Sequence, residues 1–573
     1  MWRPTRRRDP GASATEIPAE ALALPELVVG IESGASLSDD TAKSFGVAGW
    51  TLVSRFTGLL RVAVAGAILG PTFFANIFQA TNTVPNLTYN LMAGSLLTEL
   101  IIPLLVAELD KHGIAQTRAL LRQIVGVVLA GFTAVALAVV LASPIIVHLL
   151  TFGVHGPIAS ANARTECWVL LFLVIPQIGL YGIVAAGVAA QNARGHFALA
   201  AAAPAVENLG LIATLIFVAK WFGRDTTHVS HGYLLVLGVG ATSAVALHAA
   251  IQCYGAARAG LPLWPSFKWD HPAVRALTRR MIPAIGTASL DASWLFILIV
   301  AAGTVPGGVV AIQIGINFYY MPVALSAKAA GTVLLPRLSR DALRETLVEF
   351  RETYDLGISW SWFVAVPASL TMLVSAKPIA QSIAFGEMRR HDGIELLAAA
   401  IAGLGLALIG ATMFEFAKQT CYARHDVIAP LIGCAAMVGF LLIGAPIASK
   451  ALDGPKLLLG LGVLVTIGEL ARSLITDHAA RKGTVAVGGS LVQSLFRHIA
   501  VAFVTIVPAA VVGRLVQRAL GAHAHLAAIA GVMVGVGAGL VGYLVVQALL
   551  SAPELPESLR MSNWRSPANE GTA

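Results

Sequence analysis

Val84-Pro85, then Leu100-Ile101-Ile102-Pro103-Leu104-Leu105, returns later in the chain as Met321-Pro322, then Val333-Leu334-Leu335-Pro336-Arg337-Leu338. Each copy sets one proline inside an apolar segment and a second at its end. Downstream of each copy comes a matching turn. The first is Ala193-Arg194-Gly195-His196 with Pro204 beyond, and the second is Ala423-Arg424-His425-Asp426 with Pro430 beyond. Subtracting matched positions (85 from 322, 103 from 336, 194 from 424) gives 237, 233 and 230. Three matches in one order at nearly one spacing describe an internal duplication.

The solvent of this duplication is lipid. Mean hydropathy is +0.76, 57% of residues are hydrophobic and only 12% are charged, against about 25% charged in soluble domains. Roughly fourteen apolar stretches between about residues 45 and 550 are each long enough to cross a bilayer. They include 74–107 and 274–304. The fold class expected is therefore an all-α integral membrane protein, because helices satisfy their own backbone in hydrocarbon. The short alternating segments of an outer-membrane barrel are absent from the sequence. Two six-helix lobes are expected, 45–257 and 258–480, related by a pseudo-twofold along the membrane normal. Two further helices fall in 481–551. Polar tails, 1–44 and 552–573, flank the whole, and the first is expected to be a disordered cytoplasmic tail without a cleaved signal. Two lobes around a central cavity point to a transporter by alternating access, rather than to a channel or a membrane enzyme.

The net charge of +8 reads as membrane topology rather than as affinity for nucleic acid. Alternate loops hold about 25 and about 10 Lys/Arg, the positive-inside pattern. Lys111, Arg118 and Arg122 lie on the rich side, as do Arg275, Arg337 and Arg351. Both termini are then expected in the cytoplasm. Cys167, Cys253, Cys421 and Cys434 have no metal-ligand spacing and read as packing residues. The sequence contains no phosphate loop, no H-E-x-x-H and no G-x-S-x-G. No enzyme activity, cofactor or metal is expected, and the chain is expected to be a monomer.

Polar groups in hydrocarbon mark candidate sites. The first helix carries Arg55 and Arg61, six residues and so about 120° apart. In the second, Asn82, Asn86, Tyr89 and Asn90 fall on one stripe, extended by Asn76 and Gln79. Gln313, Asn317 and Tyr320 repeat that pattern in the second copy, with Lys328 beyond. Such neutral polar faces line a wet cavity or a bonded helix pair. Pro85 and Pro322 interrupt the helical ladder beside them, which suits bending helices. Glu415 and Lys418, three apart, are expected to pair. Lys328 is expected either to form the cationic site of the second lobe or to bond a carboxylate. Asp291, with no sequence-local partner, is the candidate for proton or sodium coupling.

Ser54-Arg55-Phe56-Thr57-Gly58-Leu59-Leu60-Arg61, Pro85-Asn86-Leu87, Pro103 and Gly331-Thr332-Val333-Leu334-Leu335-Pro336 together resemble the MurJ/MviN family over about residues 45–480. The turns at Arg194 and Arg424, and Asn208, fit as well. The resemblance implies two six-helix lobes around a cationic cavity, with two C-terminal helices forming a lipid-facing groove. It implies transport of an undecaprenyl-pyrophosphate-linked cell-wall precursor, lipid II, to the outer leaflet of the bacterial cell membrane. It places Arg55 and Arg61 on the substrate, where a guanidinium fork suits phosphate oxygens. The chain departs from the family pattern at four places. Asn76 replaces an acidic residue, Tyr89 and Asn317 replace arginines, and Val62 stands where an acidic partner of Arg61 is expected.

Three functions remain open on the sequence. The first is flipping of a polyprenyl-linked saccharide, driven by protons, sodium or membrane potential. The second is export of small amphipathic molecules, which the neutral Asn/Gln/Tyr faces suit. The third is a non-transporting membrane scaffold acting through its tails.

Overall fold

Backbone groups that do not face water must pair along the chain, and in the computed structural model they do so in helices. The structure describes residues 37–93, 95–226, 229–344, 346–390, 392–424, 426–484, 491–521 and 524–555. Within these, the side chains of 37–48, 51, 90–100, 279–288 and 332 are not described. Residues up to Gly46 form a unit of their own, and the chain from Val47 onward forms the second, which holds the lobes. Most of both expected tails, 1–36 and 556–573, lies outside the described residues.

The first half contains α1 (Leu37–Leu69), α2 (Phe73–Ala93), α3 (Ser95–Thr151), α4 (Pro157–Val174), α5 (Pro176–Ala193), α6 (Phe197–Trp221) and α7 (His231–Arg258). The second contains α8 (Pro272–Ala302), α9 (Gly308–Val323), α10 (Ala329–Leu343), α11 (Leu347–Val374), α12 (Ala376–Ile383), α13 (Gly393–Leu406), α14 (Leu408–Ala423), α15 (Ile428–Ala451) and α16 (Gly454–Ala480). Two more come last, α17 (Leu491–Ala519) and α18 (His525–Leu549). There is no strand among the described residues.

Eleven helical stretches among the described residues are long and apolar enough to span a membrane, or twelve if the bent pair α13/α14 counts as one span. Of the fourteen stretches expected, 74–107 and 274–304 are not in that set. In the first, the polar residues of α2 lower its hydropathy. In the second, ten side chains are not described and only Ser289–Ala302 is left as a short apolar helix. The long α3 is two helices joined at Gly113, whose φ of 75° breaks the helix where a side chain would be strained.

The prolines of the repeat behave differently in the two copies. The helix α2 continues through Pro85. Pro322 sits at the end of α9, ahead of a π-helical turn, Ala324–Lys328, that leads into α10. A π turn widens the helix where the proline has removed a donor.

The duplication is visible as repeated contacts. Arg194 Nε donates to the carbonyl of Ala259 at 3.2 Å, just past α7. In the second half, Arg424 Nη1 donates to the carbonyl of Ala480 at 2.8 Å, at the end of α16. Three residues before each arginine a second bond links the same helices, Gln191 to Gln252 and Cys421 to Thr476. Each turn arginine thus satisfies orphan carbonyls at the end of a half's last helix.

Buried apolar residues fall into three clusters, and their membership fixes how the halves meet. One joins both halves around the α1–α2 turn at Pro71, from Phe74 and Leu171 to Val310, Leu404 and Leu461. At the other end there are two cores with no helix in common. One holds α3, α5, α7 and the start of α8, including Ile124, Ile178 and Leu277. The other holds α10, α11 and α14 with α17 and α18, including Leu338, Phe416 and Tyr543. The halves are therefore sealed together at the Pro71 end and packed separately at the opposite end. Helix α8 runs from the first of these separate cores, at Val274 and Leu277, into the shared core, at Trp294 and Leu298.

The α17–α18 pair is built on close backbone approach. A Cβ on Gly513 would meet Gly535 Cα at 2.9 Å and the Gly531 carbonyl oxygen closer still. Small residues give lipid-embedded helices this packing.

Candidate functional site

Hydrogen bonds seal the Pro71 end, and two predicted site residues take part. Asn76 Nδ2 donates to the Val305 carbonyl at 2.7 Å, and its Oδ1 accepts from the Val309 amide at 3.0 Å. Gln313 Nε2 donates to Thr83 Oγ1 at 2.5 Å and to the Gln79 carbonyl at 3.3 Å. Asn317 donates to the Gln313 carbonyl at 2.8 Å. Gly307, at φ 76°, brings its backbone onto Pro71. Asn76 and Gln313, at equivalent places in the two copies, thus bond the halves to each other in this conformation. A cavity of about 600 Å³ opens beside the seal, lined by Pro71, Arg224, Thr304, Glu387 and Asp453 among others.

The remaining residues of the α2 stripe lead into the first half. Tyr181 Oη lies 2.9 Å from Glu207 Oε1 and 3.0 Å from Asn86 Oδ1. Its ring packs 5.1 Å from that of Tyr89. His248 Nδ1 stands 2.7 Å from Glu207 Oε2, and Gln252 Nε2 faces His248 Nε2 at 3.3 Å. Asn86 Nδ2 reaches back to the Asn82 carbonyl at 3.1 Å. Asn82 is buried, and its own Nδ2 has no acceptor. Asn90 lies outside the described side chains.

Arg61 borders this network. It is half-buried, its Nε is buried without an acceptor, and it acts electrostatically on both Glu207 and Tyr181. Val62 gives Arg61 no acidic neighbour in sequence, and Glu207 of α6 stands within its electrostatic reach without forming an ion pair with it. Arg55, nearly two turns earlier on α1, is exposed. Asn208 holds that stretch of α1 through the Ser54 carbonyl and Thr57 Oγ1, at 3.3 and 3.2 Å.

The second half carries a different cluster. Arg472 forks onto Glu469, with Nη2 2.5 Å from Oε1 and Nε 2.6 Å from Oε2. Its Nη1 lies 2.8 Å from Asp291 Oδ1, and its guanidinium stacks 4.0 Å over Phe414. Tyr319 Oη donates to Glu469 at 2.5 Å. Asp291 therefore has a cationic partner, which its own stretch of sequence does not show. Glu415 and Lys418 pair at 2.7 Å, as their spacing predicts. Lys328 is exposed at the end of the π turn, within electrostatic reach of Glu415.

Sequence reading missed Tyr181, His248 and Arg472. The Glu469/Arg472 spacing of three was a usable signal for the last. Tyr181 and His248 meet Glu207 only through the packing of α5, α6 and α7. No group of three or more His, Cys, Asp or Glu residues suited to a metal occurs among the described residues.

Known proteins place this geometry. Solved structures show the fold: lipid II flippase MurJ in an inward closed conformation matches with a TM-score of 0.66 at 14% identity, over 87% of this chain and 98% of that one. An inward-facing multidrug resistance MATE family transporter of the MOP superfamily matches with a TM-score of 0.57 at 11% identity, over 78% and 95%. A probable lipid II flippase MurJ of Haemophilus influenzae is 24% identical over 413 residues, covering 69% of this chain and 79% of that protein. The lipid II flippase MurJ of Burkholderia cenocepacia is 24% identical over 398 residues, covering 67% and 73%. The model of the family described as lipid II flippase MurJ matches residues 65–531. That match begins after Arg61, so it does not rest on the first-helix arginines. The chain is a multi-pass membrane protein and belongs to the MurJ family.

Proposed function

We propose that this chain flips lipid II, an undecaprenyl-pyrophosphate-linked precursor, across the bacterial cell membrane by alternating access. Two lobes, 45–257 and 258–480, rock against each other, and 481–551 adds two helices beside the second. The observation that carries the mechanism is the unequal packing of the two ends: one shared core at Pro71 and two separate cores opposite. The excess of Lys/Arg on the loops of the separated end supports its placement in the cytoplasm, with both termini. The lobes are then open to the inner leaflet, where the precursor is made.

Arg61 is the proposed anchor for the pyrophosphate. Its Nε has no acceptor in the protein, and an unpaired buried donor is costly until a ligand meets it. Arg55, exposed and nearer the open end, is the proposed first contact, and Lys328 offers a cation from the second lobe. Asn82, with its free amide donor, lies on the same stripe of α2. Asn86 and Tyr89 support it through Tyr181, and Gln313 and Asn317 act at the seal. Asp291 would have to part from Arg472 before it could bind a coupling ion.

Much of the neutral α2 stripe, which suits small amphipathic cargo, is already engaged, Asn76 at the seal and Asn86 and Tyr89 by Tyr181, and this favours the lipid-linked substrate. The test is rescue of cells depleted of their own lipid II flippase. The wild type is expected to rescue, and Arg61→Ala to fail at equal membrane abundance. Full rescue by Arg61→Ala would remove the pyrophosphate site. Failure of the wild type, with dye efflux from proteoliposomes, would instead favour the small-molecule exporter.

A further inference from the structure

The buried network next to Arg61 is one proton short. Tyr181 has a single hydroxyl proton and two acceptors, Glu207 Oε1 at 2.9 Å and Asn86 Oδ1 at 3.0 Å. Asn86 cannot help, since its amide nitrogen already donates to the Asn82 carbonyl. The other carboxylate oxygen, Glu207 Oε2, faces His248 Nδ1 at 2.7 Å. His248 Nε2 is the acceptor for Gln252 Nε2, and the orientation of that amide is fixed by Gln191 donating to Gln252 Oε1 at 2.5 Å. Nδ1 therefore carries the imidazole proton and donates it to Glu207. One oxygen remains where an added proton completes the chain. On Glu207 Oε1 it donates to Tyr181 Oη, which frees the tyrosine proton for Asn86.

We propose that Glu207 is a proton-binding site linked to phosphate binding at Arg61, so that the substrate's pyrophosphate and one proton load together. The proposal rests on the reading of Arg61 as the phosphate anchor. Four helices place titratable or polar groups beside Glu207. The helix α5 contributes Tyr181, α7 contributes His248, α2 contributes Asn86 and Tyr89, and α1 contributes Arg61. Of the titratable residues of α4, Arg164 is exposed, Glu166 is half-buried and Cys167 lies in the shared core.

With the site empty, Arg61 and Glu207 compensate each other in a medium where an uncompensated charge is expensive. A pyrophosphate on the guanidinium takes over that compensation and repels the carboxylate. A proton moving from water to Glu207 Oε1 restores the balance without moving any helix. Linkage makes the effect reciprocal: protonation of Glu207 raises the affinity for phosphate by the factor that phosphate raises its affinity for the proton. The matching cluster of the second half is built differently, because there Arg472 supplies a permanent cation to Glu469 and Asp291.

The test is calorimetry of farnesyl pyrophosphate binding to the full chain in lipid nanodiscs, in two buffers of different ionisation enthalpy, across about pH 5 to 9. The wild type is expected to take up as much as about one proton more per ligand than Glu207→Gln, which corrects for ionisation of the ligand itself. Tyr181→Phe, which removes the acceptor for the added proton, is expected to lose most of the excess. It also serves if Glu207→Gln does not fold. Binding with equal proton uptake in the wild type and the variants would overturn the proposal and leave the Arg61 anchor standing. No binding by the wild type would overturn both.

Discussion

Arg472 Nη1 lies 2.8 Å from Asp291 Oδ1, across 181 positions of sequence. The same guanidinium closes on Glu469, so one cation serves two carboxylates inside the second half. Removing the cation leaves Glu469, fully buried, with the Tyr319 hydroxyl as donor but no opposite charge. Arg472→Met is expected to cost about 3–5 kcal/mol. The measurement is thermal unfolding of purified protein in detergent. Asp291→Asn, at the half-exposed edge of the cluster, should be milder. With both carboxylates served internally, transport is expected to continue when sodium is replaced by choline.

Asn76→Ala should loosen the seal at the Pro71 end. It removes the bonds to Val305 and Val309, a loss of about 1–3 kcal/mol from the sealed state. Amide hydrogen exchange in residues 303–309 should rise relative to the wild type. Unchanged exchange there would mean that the shared apolar core alone keeps the ends closed.

Arg61 should tolerate charge-preserving change only in part. Arg61→Lys keeps the charge but loses the fork, and is expected to lower transport without abolishing it. Arg61→Ala should abolish it. Both variants should reach the membrane in normal amounts, because no bond from the Arg61 Nε to the protein is lost. Transport assays with immunoblots of the membrane fraction separate these outcomes.

Glu554 pins the chain beyond α18 back onto α11 and α17. Burial pushes its carboxyl up, but hydrogen bonds involving His498, Ser359 and its own backbone, and the charge of His498, outweigh this and hold it at about 2. Arg497 also reaches it, at 2.5 Å. A carboxyl held below its ordinary 4.5 stabilises the folded state above that pH, and the gain fades as pH falls towards about 2. Glu554→Gln should therefore lower the unfolding temperature at neutral pH. The difference from wild type should shrink on acidification below about 4.5.

The sequence disclosed what depends on local pattern. Hydropathy marked the apolar stretches, and the proline blocks at 85 and 322 exposed the duplication that the Arg194 and Arg424 contacts repeat in space. The Glu415–Lys418 pair was legible because three residues put both groups on one helical face. What escaped was set by packing between helices. Gln313 read as lining either a cavity or a bonded helix pair, and only packing supplies its partner Thr83, 230 positions away. Glu207 stood out as a membrane charge, but its partners Tyr181 and His248 lie on two other helices, where no periodicity could pair them. Val62 left Arg61 without an acidic companion in sequence, and the nearby carboxylate that feels its charge, Glu207, comes from α6, which no local reading spans.

The shared core around Pro71 also sets the direction of spontaneous motion. Opening that end would expose Phe74, Val310, Leu404 and their neighbours, so in the proposed orientation the outward-open form is the costlier one. Closing again is downhill. On the proposed cycle, only one of the two strokes would then need a drive. On that cycle, once cargo has left at the outer face, burial of the Pro71 core would by itself favour the return.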